Sequence, residues 1–251
     1  MASLEGKVIS ITGAASGMGR QLAKLAASRG AKLALADIQE EPLKQLLDEL
    51  VSSGVDATGT RVNVASDKEV DAWVEATINH FGQLDGAANL AGVEGKHGLS
   101  GSLVNQANEE WDFILSINLT GLMYCVRAQL RVMKSGSSIV NASSIVGLVG
   151  RPGMCAYAVS KHGVAGLTKT AAKEAGPSGI RVNAVAPGSI ETPMLQRVFD
   201  TEAVGARAFS TAPLGRNGKP EEVAKLFAFL LSDDSSYISG GVYLIDGGLI
   251  A

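Results

Sequence analysis

Tyr157 and Lys161 stand four residues apart in YAVSK (157–161). On a helix that spacing puts both side chains on one face. A free phenol, with a pKa of about 10, is a poor base at neutral pH. An ammonium beside it favours the phenolate and lowers that value. The pair therefore suits a reaction that moves a proton on oxygen near neutral pH. Taken alone, the two residues serve equally well as an exposed helix pair worth about 0.2–0.5 kcal/mol.

A second chemical feature is the turn TGAASGMG (12–19). Its glycines do not follow the GxGxxG spacing of the dinucleotide fingerprint. Glycine nevertheless lets backbone approach a ligand closely, and a helix starting here aims its N–H groups at the turn. A pyrophosphate fits such a turn, as does no ligand at all. Asp37 lies 18 residues after Gly19, close to where a dinucleotide site places the acid that holds the adenosine ribose. Its carboxylate would repel a 2′-phosphate, and no Arg or Lys precedes Gly17 or Gly19 in the turn. Both points favour NAD(H) over NADP(H). Asp37 could alternatively cap the following helix.

These groups need a scaffold that brings positions 12–19, 37 and 157–161 together. Aliphatic or β-branched runs at 7–13, 32–38, 56–64, 84–92, 137–144, 179–188 and 240–248 read as strands. Helical runs lie between them: 17–30, one opened by Pro42, one capped by Asp67 and ending near Phe81, Glu109 to Met133, Ala156 to Ala175, and 221–231. The alternation predicts an α/β fold, a Rossmann-like doubly wound seven-stranded parallel sheet with helices on both faces. Residues 1–251 read as a single domain, with the polar stretch 189–218 as a substrate lid. In such sheets ligands sit beyond the carboxyl ends of the strands. Gly13–Gly19, Asp37, Asn63, Asn89–Gly92, Ser143–Ser144 and Pro187–Gly188 all fall there.

The net charge of −3 makes no electrostatic case for nucleic acid or an anionic membrane. Cys125 and Cys155 form neither a disulfide framework nor a zinc cluster, so no metal site is expected. No apolar run reaches the ~20 residues of a membrane span, and MASLEGKVISITG lacks signal-peptide features. A reduced, cytoplasmic, soluble protein is expected.

TGAASGMG, Asp37, NLAG (89–92), Asn118 in SINLTG, Ser144 in NASS, YAVSK and PG (187–188) together closely resemble the short-chain dehydrogenase/reductase family, over essentially the whole chain. The resemblance implies a catalytic tetrad of Asn118, Ser144, Tyr157 and Lys161. Ser144 is preferred to Ser143 because it lies 13 residues before Tyr157, the family's usual interval. In that scheme Tyr157 is the acid–base, Ser144 holds the substrate oxygen, Lys161 also grips the nicotinamide ribose, and the Asn118 main-chain carbonyl holds a relay water. Cofactor contacts are implied at Gly13, Ser16, Gly17, Met18, Gly19, Asp37, Ile38, Asn63, Val64, Asn89, Ala91, Gly92, Pro187, Gly188, Ile190 and Thr192, as well as Tyr157 and Lys161. Thr192 would hold the nicotinamide carboxamide. Asn63 stands where the family often has Asp beside the adenine, and Leu90 replaces the second Asn of NNAG.

Glu94, Val146, Met154, Met194, Leu195 and Phe199 would border the substrate. That lining suits an apolar-bodied secondary alcohol or ketone. The expected activity is NAD(H)-dependent interconversion of the two. The rivals are an NADP(H)-dependent carbonyl reductase and a dinucleotide-binding sensor or scaffold without turnover. The resemblance also implies a homo-oligomer, a dimer or tetramer, paired through the helices at 109–133 and 156–175.

Overall fold

Strands β1 (Val8–Thr12), β4 (Gly86–Asn89) and β5 (Ser138–Ala142) are buried at every residue. Strands without an exposed face must be covered on both sides, and this chain supplies helices to do so. The computed structural model describes residues 3–95, 102–201 and 212–251, the side chains of 198–201 excepted. With β2 (Lys32–Asp37), β3 (Ala57–Arg61), β6 (Arg181–Pro187) and β7 (Val242–Ile245), they form one parallel sheet. Its order is β3-β2-β1-β4-β5-β6-β7, the doubly wound arrangement expected from the alternation.

Alternate residues along a strand face opposite layers. Ile9 and Ile11 of β1 pack with Leu22 of α1 (Gly17–Ser28), Leu46 of α2 (Glu40–Ser52) and Phe227 of α8 (Pro220–Leu231). Val8 of the same strand turns to the other face. There it joins the layer of Val126 and Val164, which belong to α5 (Leu122–Val132) and α6 (Cys155–Ala175). Trp73 and Val74 of α3 (Asp67–Phe81) extend that layer beneath β2.

The strand order reverses between β1 and β4, which are hydrogen-bonded neighbours. Register then aligns the carboxyl ends, with Thr12 opposite both Ala36 and Asn89, and Asn89 opposite Asn141. The site residues reach one edge of the sheet through this alignment.

Several local expectations change. The strands are shorter than their apolar runs. Helix α3 is capped by Ser66, whose hydroxyl accepts from the Glu69 N–H at 3.3 Å, and not by Asp67. Helix α2 starts at Glu40, leaving Pro42 in the first turn, where its missing N–H has no intrahelical partner to lose. The run read as one helix from Glu109 to Met133 is α4 (Asn108–Leu115), a π-helical turn (Ser116–Gly121) and α5. The helical run 108–132 is long enough to cross a membrane and contains an 18-residue stretch apolar enough to do so, with a mean hydropathy of 1.3. Here Leu122 and Val126 from that run pack into the core layer described above. Within 189–218, α7 (Pro193–Thr201) is helical, and residues 202–211 lie outside those described.

Candidate functional site

The glycine turn is a cradle with no room for side chains at its centre. Gly13 and Gly17 have φ of +70° and +50°, values that L side chains rarely adopt. A Cβ on Gly13 would stand 2.8 Å from the Ala91 nitrogen. One on Gly19 would collide with the Gly13 carbonyl oxygen. Gly19→Ala should therefore cost about 1–3 kcal/mol of stability, read as a lower urea midpoint. An unchanged midpoint would mean the turn opens freely. Ser16 is the N-cap of α1, yet its hydroxyl caps no backbone N–H.

Beside the turn runs a cleft of about 1030 Å³, lined by Ser16, Asp37, Ile38, Asn63, Val64 and Arg197 among others. Asp37 is buried at the end of β2. Its Oδ2 accepts from the Ala15 N–H and its Oδ1 from the Gln39 N–H, both at 2.9 Å. Gln39, not Asp37, is the N-cap of α2, so the alternative capping role falls away. The carboxylate instead ties the glycine turn to the end of β2. Asn63 is exposed at the cleft, and its Oδ1 accepts from the Ala65 N–H at 3.1 Å.

The second half of the site hangs on the π-helical turn. Asn118 is fully buried there. Its Oδ1 accepts from the Val93 N–H and its Nδ2 donates to the Val93 carbonyl, each at 2.8 Å, and Nδ2 also donates to Ser160 Oγ at 3.2 Å. Ser160 in turn donates to the Tyr157 carbonyl at 2.6 Å. One amide thus fixes the loop after β4 to the first turns of α6. Helical π-turns are frequent at functional sites.

On α6, Tyr157 is partly buried and Lys161 buried. The Lys161 Nζ lies 5.6 Å from the centre of the Tyr157 ring and donates to the Ala142 carbonyl at 2.9 Å. Gly92 packs closely here, since a Cβ on it would stand 3.2 Å from Asn118 Oδ1 and 3.5 Å from Lys161 Nζ. Ser144 and Tyr157 line the same cavity, where the Ser144 hydroxyl favours the ionised form of the phenol. Ser143 is spent elsewhere, its hydroxyl donating to the Lys161 carbonyl at 3.0 Å. Among the described residues, the Ser144 hydroxyl accepts only from the Val146 N–H, at 3.4 Å.

The electrostatics differ from the simple picture of a lysine acidifying a phenol. Burial pushes Tyr157 up to about 12; the Ser144 hydrogen bond opposes this, and the charge of Glu94 adds to it. Burial holds Lys161 down at about 8, against an ordinary 10.5. Below pH 8 the folded and unfolded chains both keep the Lys161 proton. Between about 8 and 10.5 the unfolded chain holds more of it, so stability rises with pH. The stability advantage of Lys161→Met over the wild type should therefore shrink between pH 7 and 10.5, by up to about 3 kcal/mol. Urea unfolding at both pH values checks this. A pH-independent difference would show that Lys161 titrates normally.

A second cavity, of about 720 Å³, opens over Tyr157 and Ser144. Glu94, Val146, Met154, Met194 and Leu195, read as substrate-lining, border it, and so do Pro187, Gly188, Ile190 and Thr192, read as cofactor contacts. The side chain of Phe199 lies outside the described residues. Met18, Thr192 and Met194 border both cavities, which therefore adjoin. Ala91 and Gly92 line the larger one.

Two of these residues make contacts within the protein that the sequence did not suggest. Asn89 does not face the cleft. Its Nδ2 donates to Gln129 and Asn141 at 3.0 Å, its Oδ1 accepts from Gln129 at 2.9 Å, and Asn141 donates on to Thr168 at 3.0 Å. This buried chain crosses from α5 through β4 and β5 to α6. Asn89 therefore braces the sheet edge, because its register opposite Asn141 points both amides inward. Thr192 caps α7 with the hydroxyl assigned to the carboxamide: Oγ1 accepts from the Leu195 N–H at 3.3 Å and donates to the Ile190 carbonyl at 3.2 Å.

Two charged residues at the cavities were not anticipated. Arg151 lines the smaller and Arg197 the larger. The sequence signal for Arg151 was a charge in the short link between β5 and α6. Arg197 lies one α7 turn beyond Pro193, with nothing local to mark it.

A family model described as Enoyl-(Acyl carrier protein) reductase matches residues 13–250. Over 248 residues the chain is 53% identical to the short-chain dehydrogenase/reductase aba4 of Botryotinia fuckeliana, covering 96% of each chain. It is 39% identical over 243 residues to a cyclohexanol dehydrogenase of Acinetobacter sp., covering 96% of this chain and 94% of that one. The crystal structure of levodione reductase superposes with a TM-score of 0.92 at 37% identity, covering 97% of both chains.

Proposed function

Because the chain belongs to the short-chain dehydrogenase/reductase family of oxidoreductases, we propose that it interconverts a secondary alcohol and a ketone using NAD(H). The observation that carries this reading is that Tyr157 and Ser144 line the mostly apolar cavity, with Lys161 beside the Tyr157 ring, next to the glycine-lined cleft. The site fits a dinucleotide: an open cleft runs along the glycine turn, lined by Gly13, Ser16, Gly17 and Gly19 at one part and by Asp37 and Asn63 at another. When bound, the nicotinamide supplies the hydride chemistry.

The remaining steps belong to the chain. Ser144 holds the substrate oxygen through its hydroxyl and stabilises charge developing there. Tyr157 takes the proton from that oxygen during oxidation and returns it during reduction. Lys161, as ammonium, stabilises the phenolate and binds the nicotinamide ribose. Asn118 acts as a positioning residue, since it anchors Val93 and Ser160 on either side of the reacting centre. Val146, Met154 and Leu195 hold the carbon skeleton and exclude water. Asp37, with its carboxylate at the adenosine end of the cleft, selects NAD(H). The remaining reading is of one domain that works in the cytoplasm as a homo-oligomer.

Cyclohexanol dehydrogenase and levodione reductase among the relatives suggest starting with ring alcohols and ketones. A screen of these with NAD(H) and NADP(H), followed at the absorbance of the reduced nicotinamide, tests the proposal. Turnover with NAD(H) is expected. A clear preference for NADP(H) would overturn the coenzyme assignment, and no turnover with either would overturn the activity.

A further inference from the structure

Glu94 is a charged residue on an otherwise mostly apolar wall. Its side chain is only 12% exposed, and it borders the cavity that holds Ser144 and Tyr157. One of its oxygens, Oε1, accepts from the Arg197 Nε at 3.1 Å. Arg197 reaches across from α7 and is itself 61% exposed. Among the described residues, no donor reaches Oε2. A carboxylate oxygen in such a setting is stabilised by any donor that reaches it, and a hydrogen bond to a charged acceptor contributes more than a neutral one.

The cavity's other charged residue is Arg151, and its reacting and apolar parts have the roles proposed above. Tyr157 and Ser144 take the reacting oxygen, and Val146, Met154 and Leu195 take the carbon skeleton. We propose that Glu94 determines substrate choice: its Oε2 accepts a hydrogen bond from a second hydroxyl of the substrate. The preferred substrates are then diols and hydroxyketones, and simple alcohols and ketones are poor ones. This rests on the alcohol–ketone reading above. The Arg197 contact holds the carboxylate in place while leaving Oε2 turned to the substrate. The nearness of Glu94 to Tyr157 supports the geometry, since its charge acts on the phenol. An acid so placed also disfavours a carboxylate or phosphate at that end of the substrate.

The test compares kcat/KM, with NAD⁺, for cyclohexanol and for the 1,2-, 1,3- and 1,4-cyclohexanediols. In the wild type at least one diol should exceed cyclohexanol by about 10- to 100-fold, the range of one hydrogen bond to a charged group. Glu94→Gln, which keeps size and an acceptor, should reduce that ratio. Glu94→Ala should bring it near unity. Arg197→Met breaks the ion pair but keeps the carboxylate, so the ratio should persist. The proposal is overturned if no diol is favoured, or if the preference survives Glu94→Ala. It is also overturned if Arg197→Met removes the preference as fully as Glu94→Ala, which would assign the effect to the position of α7. Failure of every alcohol and ketone with either nucleotide would instead sink the underlying activity, and this inference with it.

Discussion

Tyr157→Phe should lower kcat for alcohol oxidation by about 10²–10⁴-fold, the range contributed by a positioned acid–base group, while NADH binds within about twofold of the wild type. The substitution removes one oxygen and keeps the ring, so the α6 turn and its Ser160 contact to the Tyr157 carbonyl persist. What is lost is the group proposed to exchange a proton with the substrate oxygen, together with its interaction with Ser144. The direction of the pH dependence follows from the protonation states. Oxidation needs the phenolate, so its kcat/KM should rise with pH; reduction needs the phenol, so its rate should fall at alkaline pH. Steady-state kinetics in both directions, with a fluorescence titration of NADH, separate chemistry from binding. Substantial turnover by the Phe variant would remove Tyr157 from the mechanism.

Replacing Asp37 with Ala should shift the ratio of kcat/KM for NADPH over NADH by about 10²-fold toward NADPH. Two contributions act in the same direction. In the proposed role, the variant would lose the carboxylate's hydrogen bonds to the adenosine ribose and its repulsion of a 2′-phosphate; about 1.4 kcal/mol from each accounts for the total. The variant also leaves the Ala15 and Gln39 N–H groups without their acceptor, so a modest loss of stability accompanies the switch. A ratio that does not move would show that the Asp37 carboxylate serves only those two backbone bonds.

The fold was legible because its signals are local. Buried strands read as uninterrupted apolar runs, and the connecting helices announce themselves by their own periodicity, so the doubly wound sheet needed no knowledge of distant contacts. The same holds for the glycine turn, Asp37 and the Tyr157–Lys161 pair, each defined within a few residues. Element ends were less legible. The break at Ser116–Gly121 depends on what packs against it: Gly121 sits where a Cβ would be 2.8 Å from the Val64 carbonyl oxygen, and Asn118 is clamped to Val93.

Taken alone, the sequence determined the sheet, its reactive edge and the residue types available there, since chain order and period dictate which side chains emerge at strand ends. Only the tertiary structure decided how those side chains are used. It turned Asn89 inward onto Gln129 and Asn141, engaged the Thr192 hydroxyl at the start of α7, and gave Ser143 to a backbone carbonyl while Ser144 met Tyr157. It also joined Glu94 to Arg197, 103 residues apart in the chain. The physical reason is the same in each case. Burial, hydrogen-bond partnership and charge are properties of the surroundings a residue is folded into. For Tyr157 and Lys161 those surroundings are dry enough to move a phenol up and an ammonium down, which spacing along a helix cannot express.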